Sequence, residues 1–306
     1  MITFPKLQPE RLLQRLANPK GRIRIVLDTD TYNEIDDQFT VVYAMKSPER
    51  LKVEAFYAAP FHNERSSGPK DGMEKSYEEL RKIAGLLPEM QGIPILRGSE
   101  SYLSDLANPV ESEAARDLVE RAMACDEDDP LYIVSIAAIT NVASAMLLEP
   151  RIVDKIVIVW LGGHSLDWRD TNEFNLRQDY FASKLVLDSG VPLILIPCMG
   201  VSSHLQTTLS EMEDYVKDEG PIGRYLYDTY RDCNDDHFAY SRVIWDIATI
   251  GFLNDEAWMP SALVHSPVLS PDFRWSRDTD RHWIRYVHYI HRDLVFRDLF
   301  TKLRER

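Results

Sequence analysis

Short apolar runs alternate along the chain with stretches in which apolar residues recur every three or four positions. The runs carry Val, Ile and Leu at consecutive positions, as expected of strands that are buried on both faces. The intervening stretches predict helices. This alternation predicts an α/β fold with an open, mostly parallel Rossmann-like sheet and helices on both faces. The predicted strands lie in the segments RIRIVLDT, LKVEAFYAAP, GIPILRG, LYIVSIAAI, KIVIVWLGG and VPLILIPC.

The last third of the chain follows a different pattern, because it is largely helical after about residue 205. We therefore expect a helical C-terminal flank, in which HWIRYVHYIHRDLVFRDLFTKL forms a strand and a closing helix. No repeat or long linker interrupts the pattern, so residues 1–306 are expected to form one domain. The predicted helices are Asp36–Lys46, Met73–Gly85, Pro109–Cys125, Asn141–Leu148, Asp179–Ser189, Glu211–Lys217, Ile222–Asp232 and Trp245–Leu253.

The composition narrows the range of partners. The chain is 44% hydrophobic and 27% charged, and its formal net charge of −14 argues against binding to nucleic acid or to an anionic membrane. No apolar run is long enough to predict a membrane span. The N-terminus lacks the apolar core of a signal peptide, so a cytoplasmic location is expected. The spacing of the three cysteines predicts neither a zinc site nor a disulfide framework. A homo-oligomer stays an open alternative.

The segment IRIVLDTDTYNEIDD places four aspartates at the end of the first predicted strand. A helix N-cap and the helix dipole would account for Asp36 and Asp37, but not for Asp28 and Asp30 on a buried strand edge. A buried carboxylate needs a cation or a changed pKa, and no Lys or Arg lies between residues 25 and 45. The pattern therefore predicts a hard cation that is bound by oxygen ligands.

This acidic segment resembles the nucleoside hydrolase family, the inosine–uridine-preferring N-ribohydrolases. Three further segments resemble the same family in the same order. They are ITNVASAMLLEPRIVDKIVIVWLGG at 139–163, NEFNLRQDYFAS at 172–183 and VIWDIATI at 243–250. Together the four segments cover most of the chain up to about residue 250, which makes the resemblance more specific than any one motif.

The resemblance implies a Ca²⁺ ion and a nucleoside or other riboside as the small-molecule substrate. The ligands of the ion would be Asp30, Asp37, Asp246 and the backbone carbonyl of Ile136, with Asp28 orienting the loop behind them. The ribose contacts would be Asp36, Asn63, Glu173 and Asn175, whose side chains suit hydroxyl groups that both donate and accept.

The reaction implied by the resemblance is hydrolysis of the N-glycosidic bond of a ribonucleoside. Its transition state resembles an oxocarbenium ion, whose positive charge an acidic pocket would stabilise. Asp30 would be the base that takes a proton from the attacking water.

The chain departs from the family pattern at several positions. The first loop is two residues longer and lacks the Pro-Gly pair, and Ala137-Ala138 replace a Gly-Gly. Trp245 stands where inosine–uridine-preferring members place a histidine that is thought to protonate the leaving base. An indole cannot act as that acid. Trp245 could stack on the base or pack against the sheet, and His237 is the candidate acid, with a solvated helix-end residue as the alternative.

Two other functions stay open at this level. IVLDTDTY also resembles the start of a haloacid-dehalogenase-type phosphohydrolase, although that motif does not explain Asp36-Asp37 or NEFN. The second alternative is a catalytically weak protein that binds nucleosides or sugars and has lost the leaving-group acid. The segment HNERSSGPKDGMEKSYEEL, with Gly68, Pro69 and Gly72, also suggests a mobile flap.

Overall fold

A computed structural model describes residues 3–304. Its centre is an eight-stranded sheet with the strand order β3-β2-β1-β4-β5-β6-β12-β9. All neighbouring strands run parallel except β12 and β9, which pair in antiparallel fashion at one edge. Two short antiparallel pairs, β7 with β8 and β10 with β11, lie outside this sheet. The predicted α/β fold with a mostly parallel sheet is therefore confirmed.

The helices lie between the strands along the chain and pack on both faces of the sheet. The longest, α3, has 18 residues, and no helix within residues 3–304 is long and apolar enough to cross a membrane. The strands are β1 Ile23–Thr29, β2 Leu51–Ala58, β3 Ile95–Arg97, β4 Leu131–Ser135, β5 Ile156–Leu161, β6 Leu193–Ile196, β7 Gln206–Thr207, β8 Arg242–Val243, β9 Ser261–His265, β10 Val268–Leu269, β11 Trp275–Ser276 and β12 Trp283–Val287. The α-helices are α1 Pro9–Leu16, α2 Asp36–Met45, α3 Pro69–Leu86, α4 Glu113–Met123, α5 Thr140–Leu148, α6 Phe174–Gln178, α7 Tyr180–Ser189, α8 Leu209–Tyr215, α9 Gly220–Arg231, α10 Ile247–Asn254 and α11 Arg292–Arg304.

Each face of the sheet carries its own hydrophobic core. In β1, Ile25 and Leu27 pack into one core and Val26 packs into the other, because successive side chains of a strand point to opposite faces. Helices α2 and α10 contribute to the first core and α5 and α7 to the second. Burial on both faces explains why the strands appear in the sequence as uninterrupted apolar runs.

The C-terminal region is helical over α8, α9 and α10, as predicted, and ends with strand β12 and helix α11. The sequence pattern did not predict strand β9. This strand has five residues and pairs along one side only, with β12, so Ala262 and Leu263 are exposed. A short edge strand of this kind lacks the continuous apolar run that identifies the central strands.

The segment suggested as a flap is helical over α3, residues 69–86. Pro69 occupies the first turn of α3, where its missing N–H costs no hydrogen bond. Gly72 packs against the backbone of Phe61, and a Cβ atom at this position would lie 2.1 Å from the Phe61 carbonyl oxygen. The glycine therefore permits close packing of the helix on the preceding loop.

Candidate active site

A cavity of about 200 Å³ opens at the carboxyl edge of the parallel strands, where ligands bind in open α/β sheets. The segments that follow β1, β4, β5 and β6 form its walls, together with the starts of α2, α6 and α10. Its lining residues are Asp30, Asn33, Glu34, Asp36, Asp37, Ile136, Leu161, His164, Asn172, Glu173, Phe174, Asn175, Arg177, Cys198, Met199, Trp245 and Asp246.

Asp28 lies beneath the cavity, at the end of β1. The parallel register places it beside Ser135 of β4, and its carboxylate accepts hydrogen bonds from Ser135 Oγ at 3.0 Å and from Asn141 Nδ2 at 2.8 Å. Its backbone carbonyl accepts a bond from the N–H of Ile136 at 2.9 Å. Asp28 thus links the first loop to the strand that presents Ile136 to the cavity.

Four buried carboxylates form one end of the cavity, which we call the acidic end: Asp30, Asp36, Asp37 and Asp246. One oxygen from each of Asp36, Asp37 and Asp246 lies within 4.8 Å of the other two. Both carboxylate oxygens of Asp30 are buried and have no hydrogen-bond partner within residues 3–304. Because buried polar atoms are normally paired, this end of the cavity is chemically incomplete.

Burial raises the pKa of every carboxyl group at the acidic end. For Asp30 the negative charges of Asp37 and Asp36 add to the effect of burial. Asp37 and Asp246 likewise have a pKa well above the usual range, because they are buried and lie beside other carboxylates. The pKa of Asp36 rises to about 7, with burial the main cause. Without a cation these groups would therefore tend to retain protons.

The acidic end fits a hard divalent cation. It supplies carboxylate oxygens, which are the ligands that such ions prefer. No basic side chain neutralises them instead: within the described chain, no Lys or Arg forms an ion pair with Asp30, Asp37 or Asp246. One arginine that is distant in sequence, Arg242, lies beside this end of the cavity. Arg242 Nη2 lies 2.7 Å from Glu34 Oε2, and its charge partly offsets the rise in the pKa of Asp36. Asp36, predicted as a ribose contact, therefore lies among the predicted cation ligands.

Glu173 and Asn175 lie in the middle of the cavity wall, where they are anchored to β5. Asn175 Nδ2 donates to the Leu161 carbonyl at 3.1 Å. Glu173 precedes α6 and accepts from the N–H groups of Asn175, Leu176 and Gly163 at 2.8 to 2.9 Å. Burial nevertheless raises the pKa of the Glu173 carboxyl group. Both predicted ribose contacts are thus held rigidly at the cavity surface.

The remaining predicted residues differ in how close they lie to the cavity. Trp245 lines it, and the backbone N–H of Trp245 donates to Asp36 Oδ2 at 3.2 Å. Its partly buried ring also packs against the core, which is the second of the two alternatives for this residue. Asn63 does not line the cavity but donates through Nδ2 to Asn33 Oδ1, which does, at 2.7 Å.

The structure does not bring His237 into the cavity. Its Nε2 lies 2.8 Å from the backbone carbonyl of Arg231, at the end of α9, and must therefore donate to it. Its ring lies between those of Tyr230 and Tyr240. The histidine that does line the cavity is His164, which follows β5.

Sequence reasoning missed the part of the cavity lining that carries hydrogen-bond donors. We call it the donor end; it is formed by His164, Asn172 and Arg177. Cys198 and Met199, which follow β6, complete this wall, and burial raises the pKa of the Cys198 thiol. The sequence signal for His164, Cys198 and Met199 was their position at the end of predicted strands, the edge where ligands bind; Asn172 and Arg177 had no such signal.

Known proteins with similar sequences are described as nucleoside hydrolases. The family profile described as inosine-uridine preferring nucleoside hydrolase matches residues 25–283. The pyrimidine-specific ribonucleoside hydrolase RihA of Escherichia coli is 28% identical over 194 residues, which cover 56% of this chain and 58% of the relative. RihB of Shigella flexneri, of the same description, is 29% identical over 154 residues, which cover 46% of this chain and 47% of the relative. The chain thus spans about half the length of these curated relatives.

Solved structures show the same fold over nearly the whole chain. A plant nucleoside hydrolase superposes with a TM-score of 0.74 and 18% identity, covering 93% of this chain and 99% of that structure. A purine-preferring ribonucleoside hydrolase from Gardnerella vaginalis gives a TM-score of 0.72 and 17% identity, covering 92% and 98%. The fold agrees with the sequence profile, and the profile spans most of the chain. The protein therefore belongs to the inosine-uridine preferring nucleoside hydrolase family.

Proposed function

We propose that the protein hydrolyses the N-glycosidic bond of ribonucleosides and that it requires a calcium ion to do so. The observation that carries the proposal is the buried, unpartnered carboxylate of Asp30 within a cluster of three further carboxylates at the ligand-binding edge. Family membership favours this reaction over the phosphohydrolase alternative. The ion would be held by Asp30, Asp37, Asp246 and the carbonyl of Ile136, with Asp36 adjacent.

A bound calcium ion would supply a binding site for the ribose diol and would make a water molecule easier to deprotonate. The residues of the chain would do the rest. Asp30 would accept the proton of the attacking water, because its buried carboxylate makes no hydrogen bond within residues 3–304 and is available as a base. Glu173, Asn175 and Asn63 would orient the ribose, and the acidic surroundings would stabilise the positive charge that develops on the sugar.

The residues that line the cavity do not identify one leaving base. Trp245 offers a flat aromatic surface beside Asp246 for stacking on the base. The relatives do not agree on a base, since those from Escherichia coli and Shigella flexneri are described as pyrimidine-specific while the structural neighbour from Gardnerella vaginalis is described as purine-preferring. We therefore propose the ribonucleoside class rather than one member of it.

The proposal is tested by ribose release from a panel of purine and pyrimidine ribonucleosides, measured with a reducing-sugar assay. p-Nitrophenyl riboside belongs in the panel, because its leaving group needs no proton. Calcium should support release, and a chelator should abolish release and lower the melting temperature of the protein. Asp37→Ala should also abolish release, and its melting temperature in calcium should be lower than that of the parent. Calcium-loaded protein that binds ribose but cleaves no riboside would instead be the catalytically weak binding homologue. Activity that survives the chelator would contradict the cation assignment.

A further inference from the structure

The donor end of the cavity contains hydrogen-bond donors that no residue of the described chain uses. His164 Nδ1 accepts from the Met199 N–H at 3.4 Å, so a neutral ring carries its proton on Nε2. Nε2 has no partner within residues 3–304, although the residue lines the cavity. Burial lowers the pKa of the ring, which keeps it neutral and leaves Nε2–H as a donor.

The backbone around His164 is fixed, so this donor has a defined position. The His164 N–H donates to Thr171 Oγ1 at 3.0 Å, and its carbonyl accepts from Trp275 Nε1 at 2.9 Å. Three elements of the chain thus hold the residue: the loop before α6, strand β11 and the segment after β6. A donor that is held this firmly loses little entropy when it binds a ligand.

Arg177 adds a positive charge to the donor end. Its guanidinium lies 5.4 Å from the centre of the Phe174 ring, and within residues 3–304 it makes no ion pair and no side-chain hydrogen bond. Other arginines near the cavity differ, since Arg242 pairs with Glu34 and Arg169 with Asp170. In a protein of net charge −14, an unpaired guanidinium at a cavity wall is a ready site for an anion.

The strand order leaves room for a ribose between the two ends. The first loop of the acidic end follows β1 and His164 follows β5, two strands away in the sheet, so the strands that present them are about 10 Å apart. A diol bound at the acidic end uses the 2′- and 3′-hydroxyls. The hydroxyl that remains on a ribose is on C5′, and Glu173, whose carboxylate accepts from Gly163 next to His164, lies on that side. The substituent on C5′ would therefore point towards the donor end.

We propose that the donor end binds an anionic substituent on C5′, so that ribonucleoside 5′-monophosphates are the preferred substrates. The inference rests on the proposed function, because it deepens the same site. The reaction is the same hydrolysis as for a nucleoside. The oxygen of water bonds to C1′, the C1′–N bond breaks, and the base leaves with a proton from the water, which gives ribose 5-phosphate. The phosphate ester is not cleaved. Arg177 would bind two phosphate oxygens and His164 Nε2–H a third.

Binding of the sugar alone tests the proposal without depending on turnover. In calcium, ribose 5-phosphate should bind at least about 10-fold more tightly than ribose, as expected for charge-assisted hydrogen bonds, and titration calorimetry measures both. Arg177→Gln should remove that ratio and leave ribose binding unchanged, while Arg177→Lys should retain part of it. Arg169→Gln is the matched control, because it removes an exposed arginine outside the cavity lining and should preserve the ratio. Equal binding of the two sugars by the parent protein would overturn the inference.

Turnover separates this inference from the proposed function. We expect a higher kcat/KM for inosine 5′-monophosphate than for inosine, and a loss on Arg177→Gln that is confined to the monophosphate. An equal loss on both substrates would overturn the inference, because it would place Arg177 at the base. If neither substrate is cleaved while ribose 5-phosphate still binds more tightly than ribose, the proposed function fails and the anion site stands.

Discussion

Asp28 and Asp30 lie two residues apart at the end of one strand, and both are buried, yet their surroundings differ. The Asp28 carboxylate accepts hydrogen bonds from Ser135 and Asn141. The Asp30 carboxylate accepts none from residues 3–304 and lies beside other carboxylates. Burial raises the pKa of both, that of Asp28 to about 7. Neither sequence nor burial distinguishes Asp28 from Asp30. Their hydrogen-bond partners do, because Asp28 has two side-chain donors and Asp30 has none within residues 3–304.

The difference separates a carboxylate that belongs to the fold from one that is available for a ligand. Removing Asp28 would leave two buried donors without an acceptor, which costs free energy in any solution condition. Removing the charge of Asp30 would relieve repulsion from Asp36 and Asp37 and would leave the fold intact. Mutations at the two positions should therefore affect different properties.

The largest expected effect is on turnover. Asp30→Asn should lower kcat by at least about 100-fold, because an amide cannot accept the proton of the attacking water. Ribose should still raise the melting temperature of the variant in calcium, since the side chain keeps its size and one oxygen. The measurement is steady-state hydrolysis of the best riboside of the parent. A variant that keeps most of its kcat would show that Asp30 is not the base.

A smaller effect is expected on stability, from Asp28→Ala. The orphaned donors of Ser135 and Asn141 should lower the free energy of unfolding by about 2 kcal/mol, with calcium or with chelator. Urea denaturation followed by circular dichroism measures this loss. Asp28→Asn, which keeps one acceptor oxygen, is the matched control and should lose less. If Asp28→Ala unfolds like the parent in chelator but binds calcium poorly, Asp28 belongs with the ligand-binding carboxylates instead.

Calcium affinity should depend on pH in the direction set by the acidic end. The pKa of Asp36 is raised to about 7, and those of Asp30 and Asp37 are raised as well, so these groups hold protons that the ion must displace. Affinity should fall as the pH decreases below about 7, by about 10-fold per pH unit for each proton released. Calorimetry in two buffers of different ionisation enthalpy counts the protons. No proton release at pH 6 would contradict the raised pKa values.

The smallest effect is expected at His237, outside the cavity. Because its Nε2–H donates to the Arg231 carbonyl, His237→Ala should cost no more than about 1 kcal/mol of stability. Cleavage of a purine riboside and of p-nitrophenyl riboside should then be equally unaffected. A rate that falls for the purine riboside alone would identify His237 as the leaving-group acid after all, through a movement of its loop.

The parts of the site that are local in sequence could be predicted, and those that depend on distant contacts could not. Asp30, Asp36 and Asp37 lie on one strand–loop–helix unit, and a parallel sheet directs its end to the ligand-binding edge. The contact of Arg242 with Glu34 joins residues 208 positions apart, and no local pattern indicates it. His164 is a single residue without periodicity. The central strands were recognisable from burial on both faces, whereas β9, half exposed at the edge, was not.

The acidic end combines residues that lie far apart in the sequence, and this has a consequence for how the protein matures. Asp37 leaves the ribosome early, whereas Asp246 follows 209 residues later, the difference between the two positions. At about 5 to 20 residues per second, synthesis of that interval takes roughly 10 to 40 s. During this time the nascent chain carries Asp36 and Asp37 but not yet Asp246, so the three carboxylates cannot bind an ion together. Loading of the proposed ion would therefore be a late event, which follows the completion of α10.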